Sequence, residues 1–307
     1  MKAAFFMKHG GPEVMQYGDV KDPVAGPGQV LIDVHAASVN GADWRVVAGA
    51  YAPITDFPYI PGRDFSGVVS ALGAGVKDFA IGDAVYGVCE VGTEAAYAEK
   101  VAIKEAIVAR KPAKLTHVEA AAVSLIGLTA LCSVEDTLQL KSGETILIQG
   151  GAGGVASFAI QLAKHLGARV ITTASAANHD YLRSLGADQI IDYNKEDFAK
   201  VVTGCDAVFD TVGGEVATRS YLVLRPGGRA AFIASGANAP ATSRTDVKGL
   251  RPKVGRDRAH LDRTAALVTS GAVRVPEITI YALTDVAAAH RVSKGRHFCG
   301  KLVFKVR

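Results

Sequence analysis

The stretch Thr145-Ile-Leu-Ile-Gln-Gly-Gly-Ala-Gly-Gly-Val-Ala156 decides how the rest of the chain is read. Its first five residues form a short apolar run that reads as a buried strand. Glycines break that run, and Ser157–Gly167 takes up helical spacing. A second strand, Ala168–Thr173, follows. Gly151, Gly153 and Ala156 fill the pattern G-x-G-x-x-G/A. In that pattern the first small residue makes a tight turn, the second admits a pyrophosphate to the backbone, and the third lets helix and strand pack closely. The helix N-terminus adds free N–H groups and the positive end of its dipole. Gly151, Ala152, Gly153, Gly154 and Val155 are therefore the residues expected against a dinucleotide.

Working outward, strands and helices alternate on both sides of this stretch. Asn178–Leu185 and Glu215–Leu222 read as helices, and Gln189–Asp192, Ala207–Asp210 and Arg229–Ile233 as strands. Such alternation implies a parallel sheet covered on both faces. Upstream the texture differs. Gln29–Ala37 alternates apolar and polar, Phe65–Ala71 and Asp83–Val88 read as further strands, and Gly, Pro and Asp punctuate them. His117–Leu131 reads as a helix rich in small residues, and the last thirty-five residues as a return to β-type sequence. The expected architecture is an α/β, doubly wound parallel-sheet unit over 121–264, inserted into a β-rich unit formed by 1–120 plus 265–307.

Composition narrows the function classes. With 307 residues, 49% of them hydrophobic, the chain can bury real cores. The net charge of +4 is small for this size. Its densest basic stretch, Arg244 to Arg263, carries interleaved Asp246, Asp257 and Asp262 but no aromatic residues for base stacking; it reads as a solvated, mobile face rather than a nucleic-acid site. The four cysteines (Cys89, Cys132, Cys205, Cys299) form no C-x-x-C pair, which argues against a zinc ribbon or a disulfide framework. Apolar runs fall short of a membrane span, and Lys2–Phe6 already reads as structural rather than as a leader. A cytoplasmic protein without a membrane partner is expected.

Further motifs lie in a fixed order. Ser38-Val-Asn-Gly-Ala-Asp-Trp-Arg-Val-Val-Ala-Gly49, Pro61-Gly-Arg-Asp-Phe-Ser-Gly-Val-Val69, Gly127-Leu-Thr-Ala130, Asp210-Thr-Val-Gly-Gly214, Leu224-Arg-Pro-Gly-Gly-Arg229 and Gly300-Lys-Leu-Val303 bracket the glycine-rich stretch. Together they resemble the zinc-free quinone oxidoreductase (zeta-crystallin-like) branch of the medium-chain dehydrogenase/reductase superfamily. That resemblance implies a GroES-like catalytic domain carrying an inserted Rossmann domain, NADPH (NADP) as cofactor, a small-molecule quinone or enone as acceptor, and a homodimer. Zinc-dependent relatives have a cysteine where this chain has Asn40, and Gly-His-Glu where it has Gly62, Arg63 and Asp64. Catalytic zinc needs about three ligands of Cys, His or carboxylate type, so no metal is expected here.

The resemblance also assigns site residues. Ser175 lies at the end of the second strand of the nucleotide unit, where NAD enzymes keep a carboxylate; a hydroxyl there favours NADPH. Asn178 and His179 stand where relatives often have a basic residue, leaving dual specificity open. Tyr193 matches a contact to the adenosine phosphate, or else caps the sheet edge. Val212, Phe232, Ile233 and Ser235 match positions lining the nicotinamide ring, and Thr129 a further cofactor contact. Asp210 is expected to fix the turn that follows it rather than to act as an acid. Asn40 and Tyr51 are the expected catalytic groups, hydrogen-bonding the developing oxyanion, with Asn40 alternatively holding a turn; Asp43 is expected to cap or to pair with Arg45 or Arg63. Arg45 replaces a second tyrosine seen in quinone reductases, which admits an enal/enone double-bond reductase or a non-catalytic NADPH-binding sensor as alternatives. After Gly236 the chain is shorter than in typical relatives.

Overall fold

Turn-punctuated, alternating sequence in the first hundred residues folds into strands β1 (Lys2–Phe5), β2 (Gln16–Asp19), β3 (Gln29–Val39), β4 (Asp64–Leu72), β5 (Ala84–Val88), β6 (Lys100–Lys104) and β7 (Val108–Arg110), with a short helix α1 (Asp43–Val47) after β3. Helix α2 (His117–Leu131) leads into β8 (Thr145–Gln149), α3 (Gly154–His165), β9 (Arg169–Ala174), α4 (His179–Ser184), β10 (Gln189–Asp192), α5 (Phe198–Val201), β11 (Cys205–Asp210), α6 (Gly214–Arg219), β12 (Leu224–Phe232) and β13 (Lys248–Leu250). The chain closes with α7 (Arg258–Thr269), β14 (Ile278–Ala282), α8 (Val286–Gly295) and β15 (Lys301–Lys305). This computed structural model describes residues 1–51 and 54–307, in two units. The first comprises Met1–Leu125, Arg256–Thr269 and Val275–Arg307; the second, Ile126–Gly255 with Ser270–Arg274.

In the first unit β3 is the central strand. Its alternate residues Val30, Ile32 and Val34 are buried, as period-2 patterning requires. The strand pairs antiparallel with β15 on one side and β4 on the other, and with β6 along its first half. The sheet runs β14-β15-β3-β4-β5-β7, and Phe65, Val85, Tyr97 and Phe304 fill the core beneath it. This is the GroES-like unit.

The second unit is a six-stranded sheet in the order β10-β9-β8-β11-β12-β13, every pair parallel. Counted within the unit this is 3-2-1-4-5-6, the Rossmann order, whose direction reverses between β8 and β11. The strands beside that point are buried on both faces (Ile146, Leu147, Ile148, Ala207, Val208, Phe209), which is why they read as continuous apolar runs.

Four expectations from the sequence are corrected. Helix α8 occupies the C-terminal segment read as β-type. Residues Arg256–Thr269 belong to the first unit, although the sequence reading assigned most of them to the nucleotide unit: Tyr86 donates to the Leu261 carbonyl, and Arg258 Nε and Nη2 donate to Val108 O and Glu105 O at 2.9 and 2.6 Å. The basic stretch is not a mobile solvated face. Arg244 donates to Tyr221 O and Leu224 O, Arg251 to Phe232 O, and Arg256 to Cys89 O, so these guanidinium groups tie loops to strands. Finally, α2 continues through a π-helical turn to give a 21-residue helix of mean hydropathy 1.6, long and apolar enough to cross a membrane, yet 83% of its most apolar window is buried inside the protein. An all-round apolar helix of that kind is a core element.

Candidate functional site

The nucleotide unit's site begins where β8 ends. Gly150 turns with φ +74°, its N–H held by Thr173 Oγ1 at 3.1 Å, and Gly151 N donates to Thr173 O at 2.9 Å. A Cβ on Gly151 would fall 2.3 Å from Thr172 Oγ1, so only glycine fits there. Gly153 is the N-cap of α3 and supplies no side-chain cap, which leaves the first-turn N–H groups of Gly154 and Val155 for an external acceptor. A Cβ at Gly153 would meet only Gly150 O, at 3.4 Å. This open, uncapped cradle fits a dinucleotide phosphate.

The other expected cofactor residues sit at strand ends of the same unit. Ser175 follows β9, and its hydroxyl accepts from Asn178 Nδ2 at 3.2 Å. Tyr193 follows β10 and is 54% exposed. Asp210 ends β11, and its carboxylate accepts from Val212 N and Gly213 N at 3.3 and 2.9 Å, fixing the turn. Ile233 N donates to Asp210 O, Ser235 Oγ donates to Asn238 O, and Thr129 is buried on α2 with its carbonyl accepting from Ser133. Phe232 departs from the expectation. Its ring is fully buried 5.1 Å from Tyr221 in the sheet core, and its carbonyl is engaged by Arg251, so its side chain lines no site.

In the GroES-like unit, Asn40 follows β3 and enters a buried polar network. Its Nδ2 donates to Asp64 Oδ1 at 2.7 Å and to Ser38 O at 3.3 Å, while its Oδ1 accepts from Lys301 Nζ at 2.7 Å. Lys301 also donates to Val39 O at 2.9 Å. Asp64, fully buried at the start of β4, accepts from Ser38 Oγ and Leu125 N as well. Burial lowers the Lys301 ammonium, against the pull of Asp64 and Asp43; burial raises the Asp64 carboxyl, against Lys301, Ser38, Asn40 and Leu125 N. Both amide N–H groups of Asn40 are thus engaged inside the unit. As an oxyanion donor it would act by releasing the longer bond, to Ser38 O.

Asp43 binds Asn40 N at 2.8 Å and Tyr97 Oη at 2.6 Å, and lies 4.0 Å from Arg63 Nε. Burial pushes its carboxyl up to about 6 despite Arg63 and these donors. Of the two partners expected for it, Arg63 is the one present; Arg45 lies over the Trp44 ring. Gly62, at φ +98°, presses against Tyr97, where a Cβ would fall 2.2 Å from the ring. That contact sets Arg63 between Glu94, 3.3 Å from its Nε, and the half-exposed Tyr51 ring, whose centroid is 5.8 Å from its guanidinium carbon. Glu94 also accepts from Tyr59 Oη and Gly92 N.

Comparison with known proteins follows the same division. Residues 26–113 match the alcohol dehydrogenase GroES-like domain and residues 185–304 the zinc-binding dehydrogenase family. The chain is similar to the 2-methylene-furan-3-one reductase of Solanum lycopersicum (38% identical over 78% of this chain and 64% of that protein) and to the chloroplastic NADPH-dependent alkenal/one oxidoreductase of Arabidopsis thaliana (35%, over 83% and 69%). The chain therefore spans just under two thirds of the tomato protein. Its structure superposes on the quinone oxidoreductase of Coxiella burnetii with a TM-score of 0.95, at 36% identity over 100% and 99% of the two chains. The chain belongs to the zinc-independent quinone oxidoreductase branch of the medium-chain dehydrogenase/reductase superfamily. It thereby stands among oxidoreductase enzymes. The Escherichia coli quinone oxidoreductase solved with NADPH is a further structural neighbour (TM-score 0.91, 27% identity, both chains covered in full).

The "zinc-binding" family description does not fit the residues at the metal position. Asn40 and Arg63 are not zinc ligands. Asp64 is saturated by its own donors, and the cation bonded to Asn40 is the Lys301 ammonium. Cys89 is buried, which pushes its thiol up to about 12 and keeps it protonated. Sequence reading missed Lys301 as part of this network. Its motif, Gly300-Lys-Leu-Val303, was legible, but 261 residues separate it from Asn40.

Proposed function

We propose that this protein is an NADPH-dependent, zinc-independent reductase of quinones or activated enones. The observation that carries the reading is the uncapped glycine cradle between β8 and α3, at the reversal point of a parallel sheet. Gly151 to Val155 would hold the pyrophosphate. The hydroxyl of Ser175, standing where NAD enzymes place a carboxylate, would donate to a 2′-phosphate. When bound, the nicotinamide supplies the hydride. This chain's own contribution is to place an acceptor by hydrogen bonds from Tyr51 and Asn40, which stabilise a developing oxyanion. Asn40 and Arg63 are not ligands for a zinc ion that would polarise the acceptor, so the acceptor must be electrophilic already, which quinones and enones are.

Arg45, in place of a second tyrosine, and the similarity to proteins named for a furanone and for alkenals favour carbon–carbon double-bond reduction within this reading. The test is NADPH oxidation by the purified protein with phenanthrenequinone and with a simple enone. Turnover supports the reading, and a saturated ketone product identifies the double-bond reductase. NADPH binding without turnover on either acceptor would leave a nucleotide-binding sensor instead.

A further inference from the structure

Arg63 makes incomplete use of its side chain. Only 11% of that side chain is exposed, and of its donors only Nε faces carboxylates, Glu94 Oε1 at 3.3 Å and Asp43 Oδ1 at 4.0 Å. Neither contact has hydrogen-bond geometry, since Nε, Glu94 Oε1 and Asp43 Oδ1 are buried without a hydrogen-bond partner among the described residues. The two Nη atoms likewise hydrogen-bond to none of the described residues. Guanidinium presents five N–H donors in a planar fork, and a nearly buried one ordinarily has them satisfied. Glu94 is committed elsewhere: its Oε2 takes Tyr59 Oη and Gly92 N. A second cation, Arg256, stands near enough for Arg63 to act against its charge. The Tyr51 ring centroid lies 5.8 Å from the guanidinium carbon, within cation–π range.

We infer that Arg63 is a specificity-determining group that takes a carboxylate of the acceptor on its open Nη fork, so that the preferred acceptors are electron-poor olefins or quinones carrying a carboxylic acid. The fork geometry matches a carboxylate in bidentate fashion. The position is fixed from both sides, by Gly62 against the Tyr97 ring and by Cys89 N donating to Arg63 O at 2.6 Å. The inference deepens the reductase reading and rests on it.

The test is steady-state reduction of 4-oxopent-2-enoate and of its methyl ester, which share one enone and differ in one charge. In the unaltered protein kcat/KM for the acid should exceed that for the ester by about tenfold or more, and the advantage should shrink with added salt. In Arg63→Met the acid-to-ester ratio should collapse to near unity, a loss of about tenfold or more, mainly through KM for the acid, and Arg63→Lys should restore part of it. An unaltered protein that reduces the ester as well as the acid overturns the inference while leaving the reductase reading intact, and needs no variant to fold. A ratio unchanged in Arg63→Met, with a rise confined to the Kd for NADPH, overturns it too and moves Arg63 to the cofactor. No turnover on either acceptor overturns both readings together.

Discussion

Replacing Lys301 by Met removes a buried ammonium bonded to Asn40. Lys301 is 4% exposed and donates to Asn40 Oδ1 and Val39 O, with the fully buried Asp64 carboxylate beside Asn40. Methionine nearly matches the aliphatic stem, so little packing is lost; what is lost is the charge opposite Asp64 and two donors. Breaking a directly contacting buried pair from one side costs about 3–5 kcal/mol, because the remaining charge is left uncompensated. Lys301 reaches Asp64 through Asn40, so the Lys301→Met protein should lose somewhat less, about 2–3 kcal/mol, near neutral pH in urea melts. The sign of the pH effect follows from Asp64. Without the ammonium, its carboxyl, already raised by burial, rises further. The variant then takes up a proton in the folded state at a higher pH than the parent does, so its deficit is largest in mild alkali and shrinks on acidification. Adding Asp64→Asn should recover part of the loss, giving a coupling well short of additivity. A deficit below about 1 kcal/mol, or one equal at about pH 5 and about pH 8, would refute the argument.

Three other outcomes are expected. Gly151→Ala puts a Cβ 2.3 Å from Thr172 Oγ1; it should destabilise the nucleotide unit by about 1–3 kcal/mol and weaken NADPH binding, read by nicotinamide fluorescence. Ser175→Asp should lower NADPH affinity by about tenfold or more and leave NADH affinity less affected, since the new carboxylate repels only a 2′-phosphate. His290, buried on α8 beside Tyr97 with neither ring nitrogen hydrogen-bonded among the described residues, is pushed by burial from 6.5 down to about 4. A depressed folded-state value means the unfolded chain binds the extra proton, so stability is full above pH 6.5 and falls as the pH drops towards about 4. His290→Leu should lose about 3 kcal/mol less than the parent over that window, read as the difference in urea midpoints.

How much of this was legible in the sequence depended on how locally each feature is encoded. The β8–α3–β9 unit was readable because buried parallel strands are apolar throughout and because the turn between them demands glycine within four residues of the strand. Asp210's role was readable for the same reason, since it acts on the amides of Val212 and Gly213. Helix α8 was missed because its inward face is Val286, Ala289, His290 and Ser293: the spacing is helical, but the residues are too small or too polar to register as an apolar stripe. The basic stretch was misread because charge density carries no information on carbonyls remote along the chain, and Arg244, Arg251, Arg256 and Arg258 all reach such carbonyls. Phe232 was placed by its position at the end of β12, yet strand alternation turns its ring into the core. The Asn40–Asp64–Lys301 network joins the end of β3 to β4 and β15, neighbours in the sheet but far apart along the chain, and no local pattern reports it.

In the proposed reaction a hydride passes from a nicotinamide held by the glycine cradle to an activated acceptor. NADPH deuterated at its transferable position, turned over with a simple enone and followed by mass spectrometry of the product, tests it most directly. One deuterium should appear on the β-carbon of a saturated ketone, with a solvent-derived hydrogen on the α-carbon. A reduced product without deuterium, or NADPH bound and never oxidised, would contradict it.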